Sequence, residues 1–226
     1  MKRTDRGLAC EMAVTPKPDK SSQLDRKSLL RALERLSQHL ERRRIRAKVH
    51  IAGGAAMILA HGRSRATQDV DALSIDKREA VLSAATDVGD ELGLAKDWLN
   101  DDVRDLYFLT SMSLENAKPA PALFDSPSLM VTGAPMTHLL AMKAHACRAA
   151  DAEDIAFLLR KLDVSSMERI REIHDSVFPY DALSPRTQAR LETILRQTLS
   201  EGRADQTRPA QWIHPAPRVP VKRAGE

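Results

Sequence analysis

Residues 49–73 read VHIAGGAAMILAHGRSRATQDVDAL, and this stretch decides the fold that the sequence predicts. It starts as a short strand and continues with the pair Gly53-Gly54, which precedes an apolar helix that Gly62 ends. A basic turn then leads into a second strand. Because side chains alternate along a strand, Asp69 and Asp71 are expected on the same face, about 6.6 Å apart. The predicted bounds are strand 48–52, helix 55–61, turn 63–67 and strand 69–75.

The two carboxylates and the glycine pair indicate the same kind of ligand. Mg²⁺ is typically held by one or two carboxylates together with substrate phosphates. Glycine lets the backbone approach a ligand closely, and free N–H groups at a helix N-terminus favour phosphate. Between the two motifs lie Arg63, Arg65 and Thr67, which are available for phosphate oxygens. Each part taken alone is also typical of a surface without a ligand. The acids could be exposed on an edge strand, and the arginines could lie in a surface turn. The combination is what favours a metal and phosphate site.

The overall composition is that of an ordinary globular protein, with 42% apolar and 29% charged residues among 226. The formal net charge of +4 permits a polyanionic partner without requiring one. Two cysteines, Cys10 and Cys147, do not form a disulfide framework. No apolar run approaches the roughly 20 residues that span a bilayer. These features predict a cytoplasmic protein with no membrane partner.

The rest of the chain extends this core in both directions. Four leucines, at positions 29, 33, 36 and 40, form one apolar stripe and predict a helix from about residue 25 to 43. Beyond the quoted stretch, the periodicity alternates between helix and strand and then becomes wholly helical. The predicted segments are helix 78–92, strands 103–109 and 129–132, and helices 136–149, 151–162, a third ending before Pro179, and 185–199.

The predicted fold class is α+β (mixed α/β), with a small mixed β-sheet core and flanking helices, followed by a helical C-terminal half. The expected organisation is a flexible tail over 1–23, the sheet core over 24–133 and a helical subdomain over 134–202. Residues 203–226 are rich in proline and basic residues and are expected to be disordered.

Lys143 interrupts the apolar stripe of the helix that starts at Met136. A lysine facing inward needs a partner, because an unpaired buried ammonium is costly. Either it extends to solvent at the rim of the sheet, or it reaches an anion such as a triphosphate. Asp154 lies eleven residues further on and shares the face of Lys143 if the helix is continuous. If the helix breaks near residue 150, Asp151 is expected to cap the next helix and Asp154 to lie in its first turn.

These motifs resemble those of the nucleotidyltransferase superfamily that includes DNA polymerase beta. They are more closely similar to the bacterial AbiEii-like and DUF6036-type proteins, among them the MenT-type toxins. The resemblance covers about residues 48–165 and implies transfer of a nucleoside monophosphate from an NTP to an acceptor, with pyrophosphate leaving. It implies Asp69, Asp71, Lys143 and Asp154 as catalytic residues, Asp69 and Asp71 as ligands of Mg²⁺ or Mn²⁺, and Gly53, Gly54, Arg65, Thr67 and Lys143 as nucleotide- and phosphate-binding residues.

The resemblance further implies the 3′ end of tRNA as acceptor, a role as toxin of a toxin–antitoxin or phage-defence pair, and a cognate antitoxin as partner. Two alternatives stay open: nucleotidylation of a partner protein, and a degenerate fold that serves as a nucleotide-binding or protein-interaction module. Ala55 in place of a hydroxyl residue, and the lack of a third carboxylate on strand 129–132, favour the degenerate fold. The intact aspartate pair and Lys143 favour an enzyme.

Overall fold

In the computed structural model of the protein, residues 23–103 and 122–206 are described, with side chains described up to Glu201 except that of Ser74. The first helix, α1 (Arg26–Arg42), begins at a capping residue. The Asp25 carboxylate accepts a hydrogen bond from the Ser28 amide at 2.7 Å, which satisfies one of the free donors at the helix start. All four leucines of the predicted stripe are buried, so the expected amphipathic helix is confirmed.

A mixed sheet of five strands is built around β1 (Ala47–Ile51). On one side β1 pairs antiparallel with β2 (Val70–Ile75), and on the other side it pairs parallel with β5 (Leu129–Gly133). The short β3 (Leu99–Asn100) runs parallel beside β2, and β4 (Ala122–Asp125) runs antiparallel beside β5. The order β3-β2-β1-β5-β4 confirms the expected mixed sheet.

The outer strands differ from the sequence prediction. The sequence predicts no strand over β4, whose residues are exposed or only half-buried and show no clear alternation. This edge position explains why the usual hydrophobic signal is weak there. The predicted strand over 103–109 lies outside the described residues except for Val103, which is in a turn.

Two helices of the first half follow strands directly. α2 (Gly53–His61) starts where β1 ends, and α3 (Arg78–Leu92) starts just after β2. α1 packs on α3, whereas α2 packs against β2, β5 and the first helix of the second half. Both α2 and α3 end at glycines in the left-handed region, Gly62 with φ of 70° and Gly93 with φ of 66°. The two chain reversals after these helices therefore use the residue best suited to them.

The second half is helical, as predicted. Its elements are α4 (Met136–Ala146), α5 (Ala152–Lys161), α6 (Met167–Val177) and α7 (Pro185–Gln206). α4 packs on α5 and α6, and α5 packs on α7. One continuous cluster of buried hydrophobic side chains runs from Leu24 to Leu195 and includes both halves of the chain. The boundary between residues 133 and 134 stays a prediction.

The connection between α4 and α5 decides one of the open alternatives. α4 ends at Ala146, because Cys147 adopts a left-handed conformation with φ of 39°. A 3₁₀ turn, Ala149–Asp151, then leads into α5. The helix predicted over 136–149 therefore ends earlier, at Ala146. Of the two alternatives the broken helix is the one observed, because Lys143 and Asp154 lie on separate helices.

Among the residues that the structure describes, no helix combines the length and the apolar character needed to cross a membrane.

Candidate active site

The ends of two strands bring the glycine pair and the aspartate pair together. Because β1 and β2 are antiparallel, the last residues of β1 lie beside the first residues of β2. The Ala52 amide donates a hydrogen bond to the Asp71 carbonyl at 2.8 Å, which fixes this junction. Gly53 follows at once and begins α2 with φ of 60°. The start of a helix thus faces two carboxylates on the neighbouring strand.

Each glycine of the pair is required by a side chain of the site itself. A Cβ atom on Gly53 would collide with the carboxylate of Asp71, and one on Gly54 would lie 2.5 Å from the hydroxyl oxygen of Thr67. Thr67 is held in place by two backbone hydrogen bonds with Leu24, at 2.6 and 3.0 Å. The pair therefore makes room for the side chains of Asp71 and Thr67. It also leaves the first amides of α2 without helical acceptors, as at any helix start.

Comparing two glycine variants should separate this collision from simple backbone strain. Gly62→Ala places a Cβ in open space at a positive φ, so we expect a cost of about 1 kcal/mol in unfolding free energy and an unchanged reaction rate. Gly53→Ala adds displacement of the Asp71 carboxylate, so the rate should also fall about 10²-fold. Thermal unfolding and transfer rates would measure both effects. Equal rates for the two variants would contradict the close fit at Gly53.

The two carboxylates of the pair lie in an environment that disfavours their negative charge. Burial, and next the charge of Asp69, raise the pKa of Asp71 from 3.8 to about 6. Burial, and next the charge of Asp97, raise the pKa of Asp69. The positive charge of Lys143 opposes both shifts without cancelling them. An additional cation at this position would relieve the remaining repulsion.

The arrangement suits a Mg²⁺ or Mn²⁺ ion that takes only some of its ligands from the protein. Within residues 23–103 and 122–206, no group of three or more His, Cys, Asp or Glu side chains is placed to hold a metal ion. The protein would therefore contribute the carboxylates of Asp69 and Asp71, and phosphate oxygens and water would complete the coordination. Asp102 is near enough to raise the pKa of both aspartates, whereas Asp105 lies outside the described residues.

Lys143 and two acids from the 3₁₀ turn and the start of α5 also line the site. The Lys143 Nζ atom lies 2.7 Å from Asp151 Oδ1 and 3.0 Å from Asp154 Oδ2. Burial by itself lowers the pKa of Lys143, but the hydrogen bonds and charges of the two aspartates outweigh it and hold the pKa above its usual value. The lysine is therefore a positioned cation and does not extend freely to solvent.

Asp151 has the capping role that the sequence predicted and also pairs with Lys143, which the sequence did not predict. One carboxylate oxygen accepts the Lys143 hydrogen bond, and the other accepts a hydrogen bond from the Arg148 amide at 3.1 Å. The second bond caps the 3₁₀ turn that precedes α5. A continuous helix would have placed Asp154 on the same face as Lys143 through its periodicity. Here the helix breaks at Cys147, and the 3₁₀ turn brings Asp154 next to Lys143 instead.

Ion pairs connect the basic turn after α2 to the first turn of α5. Arg63 Nε lies 3.1 Å from Asp154 Oδ1, and Arg63 also lies 3.4 Å from a carboxylate oxygen of Glu153. The Arg65 guanidinium lies 3.3 Å from the same Glu153 oxygen. Arg63 and Asp154 are largely buried, so their pair contributes more than the exposed pair of Arg65. The sheet half and the helical half therefore face each other across one site.

All eight residues predicted for the site line one cavity of about 440 Å³, so the structure brings them together. Their roles in catalysis stay predictions. The cavity also includes Arg63, which the sequence marked as available for phosphate, and Arg148, for which contact with phosphate and pairing with Asp151 were alternatives. Asp151, for which the sequence favoured capping, lines it as well. The spacing Arg148-x-x-Asp151 is a capping signal, and Arg63 directly follows the glycine that ends α2. The predicted residues in the cavity are Gly53, Gly54, Arg65, Thr67, Asp69, Asp71, Lys143 and Asp154.

One cavity holds a carboxylate pair, a lysine and the start of a helix, and these groups suit a nucleoside triphosphate and its metal. Comparison with protein families agrees with this class. Residues 27–197 match the model of DUF6036, described as a nucleotidyltransferase of unknown function, and the chain belongs to this family. Searches of the curated proteins and of the solved structures gave no match. Family membership supports nucleotide transfer as the activity and an NTP as the substrate.

Proposed function

We propose that the protein transfers a nucleoside monophosphate from an NTP to the 3′ end of an RNA, with tRNA as the first candidate, in a reaction that depends on Mg²⁺. One observation carries the proposal: Asp69, Asp71 and Lys143 line the same cavity. Family membership supports the transfer. The resemblance of the Arg65–Asp71 run to the AbiEii-like toxins supports tRNA as the acceptor.

The reaction is an in-line displacement. The acceptor 3′ oxygen forms a bond to the α-phosphorus, and the bond from that phosphorus to the oxygen bridging to the β-phosphate breaks. Pyrophosphate leaves with the electron pair, and the hydroxyl proton passes to the Asp71 carboxylate. Asp69 and Asp71 would hold Mg²⁺, which would supply charge neutralisation at the phosphates and a lower pKa for the attacking hydroxyl.

Other residues bind the triphosphate and compensate its charge. The first amides of α2, at Gly53 and Gly54, donate to phosphate oxygens, since Ala55 is buried and has no hydroxyl to offer. Arg65 contacts the phosphates, and the Thr67 hydroxyl contacts the nucleotide. Lys143, positioned by its two aspartates, neutralises the charge that develops on pyrophosphate.

The proposal includes a cellular role that follows from the resemblance. The protein would act in the cytoplasm as the toxin of a toxin–antitoxin or phage-defence pair, and a separately encoded antitoxin would neutralise it. Mn²⁺ would substitute for Mg²⁺, because both ions accept carboxylate and phosphate oxygens.

A transfer assay with the purified protein tests the proposal. The protein is incubated with Mg²⁺, each NTP labelled at the α-phosphorus, and a tRNA pool, in parallel with Asp69→Ala. Asp90→Ala, an exposed acid on α3, is the matched control. We expect labelled RNA from wild type and the control, and none from Asp69→Ala. Label on protein would show that the RNA acceptor is wrong, and equal labelling by all three would show that the site is wrong.

A further inference from the structure

A dense group of basic residues lies at the end of the sheet away from the candidate active site. Residues 41–48 read ERRRIRAK, with five basic residues and one acid. This excess is as large as the formal net charge of +4 of the whole chain. The run spans the end of α1, the following turn and the start of β1. Lys48 and Gly53 lie about 17 Å apart along the strand, since each residue adds about 3.3 Å.

The turn between β2 and α3 joins the same end of the molecule. The Asp76 amide donates a hydrogen bond to the Lys48 carbonyl at 2.8 Å, which places Lys77 beside the run. Arg43 of the turn after α1 reaches α3, where it donates to the Ala80 carbonyl at 3.3 Å. We call the exposed cations gathered here the basic end. It consists of Arg42, Arg44, Arg46, Lys48 and Lys77.

The cations of the basic end are not neutralised by acids of the described chain. Two neighbouring arginines are neutralised. Arg43 pairs with Asp87 at 2.5 Å, and Arg78 donates two hydrogen bonds to Asp101. For the five residues of the basic end, no salt bridge exists with any residue in 23–103 or 122–201. Exposed acids such as Glu41 are nearby but are outnumbered. The surface therefore keeps a positive charge for a partner.

Two of these cations occupy positions that favour glycine. Arg44 has φ of 56° and Lys77 has φ of 54°, both in the left-handed region. Side chains with a Cβ atom are strained there. Helices α2 and α3 end at glycines in this conformation, whereas Arg44 follows the end of α1 and Lys77 precedes the start of α3. Neither side chain makes a hydrogen bond or salt bridge with a residue in 23–103 or 122–201, so no such bond offsets the strain. Each side chain places a positive charge at an exposed position.

We propose that the basic end binds the phosphate backbone of the RNA acceptor while the 3′ end of the same RNA lies in the active site. This inference rests on the proposed function. Arginine guanidinium groups suit phosphate because they donate in a fixed planar fork. The separation of about 17 Å along β1 is short compared with a folded RNA, so one molecule can contact both places. Contacts to phosphate alone position the acceptor and make binding depend on salt.

The double variant Arg44→Gly/Lys77→Gly tests the inference without harming the fold. Glycine relieves the strain at both positions, so the unfolding temperature should stay the same or rise. Binding of a fluorescein-labelled tRNA, without NTP, is followed by anisotropy between 50 and 200 mM salt. We expect affinity to fall about tenfold, and the slope of log affinity against log salt to decrease by about 1.8, since each lost phosphate contact accounts for about 0.9. At saturating RNA the variant should keep its kcat and show a raised KM.

The matched control is Arg186→Gln/Arg196→Gln, which removes the same charge from exposed positions on α7. Unchanged tRNA affinity in the glycine variant, or an equal loss in the control, would overturn the inference. The inference would also be overturned if the glycine variant lost binding to an acidic partner protein but still bound tRNA. Failure of the proposed function is distinguishable, because it would show as no transfer by wild type in the labelling assay, whereas tRNA binding is measured without NTP.

Discussion

Asp71→Asn is expected to abolish nucleotide transfer and, at the same time, to make the metal-free protein more stable. Loss of one metal-binding carboxylate should lower the rate about 10³-fold or more, on the order of 4 kcal/mol of transition-state stabilisation. Burial and the charge of Asp69 raise the pKa of Asp71 to about 6. Keeping that carboxylate ionised at pH 7.5 costs at most about 3 kcal/mol, and an uncharged amide of the same shape removes the cost.

The pH dependence of this stabilisation has a definite sign. The unfolded chain releases the Asp71 proton near pH 3.8, whereas the folded protein holds it to about pH 6. Between these values the folded state binds more protons, so the stability of wild type falls as pH rises. The gain from Asp71→Asn should therefore be absent below about pH 4 and complete above about pH 6. Urea unfolding of wild type and Asp71→Asn in EDTA at several pH values measures this gain in unfolding free energy.

Asp76→Asn is the matched control, because this exposed aspartate directly follows the same strand. Its substitution should change unfolding free energy by less than about 0.5 kcal/mol at every pH and leave transfer intact. Added Mg²⁺ should stabilise wild type and the control, but not Asp71→Asn. If Asp71→Asn is less stable than wild type at pH 7.5 in EDTA, the description of a strained carboxylate pair is wrong.

Lys143→Met is expected to have the opposite effect on stability while also removing activity. The ammonium pairs with two largely buried carboxylates, and its loss leaves both without that cation. Removing one partner of such a cluster typically costs about 3 kcal/mol, and here the partial exposure of all three groups reduces it to about 2 kcal/mol. Loss of a cation at the leaving pyrophosphate should lower the transfer rate about 10²- to 10³-fold.

A triple variant separates the structural role of Lys143 from its catalytic role. Adding Asp151→Asn and Asp154→Asn to Lys143→Met removes the unpaired charges, so most of the lost stability should return. The transfer rate should not return, because no cation then faces the phosphates from α4. If rate and stability recover together, Lys143 serves only to pair with the acids. Chemical unfolding and single-turnover transfer on the same preparations provide both readouts.

Local patterns predicted the parts of the fold that depend on near neighbours in the sequence. The leucine stripe of α1 and the alternation along β1 and β2 each follow from a repeat that is visible within about ten residues. The aspartate pair was predictable for the same reason, because alternation alone puts Asp69 and Asp71 on one face. Gly62 likewise marks the end of α2 with a residue that prefers the conformation found there.

The parts that sequence did not predict depend on contacts between distant segments. Nothing local marks the end of α4, since Cys147 adopts a left-handed conformation without being glycine or asparagine. The sequence offered Gly53 as a point of ligand approach, but the structure shows that the Asp71 side chain itself needs the space. The ion pair of Arg63 with Asp154 joins residues 91 positions apart, which no periodicity reveals. β4 is an edge strand with a weak hydrophobic pattern.

Two differently labelled NTPs test whether a nucleoside monophosphate is transferred at the Asp69–Asp71 site. Wild type is given the same NTP labelled either at the α-phosphorus or at the γ-phosphorus, with Mg²⁺ and RNA. We expect the α label to enter the RNA and the γ label to appear as pyrophosphate, and we expect Asp69→Ala to lose both. Transfer of the γ label to the acceptor, or transfer of the α label that survives in Asp69→Ala, would contradict it.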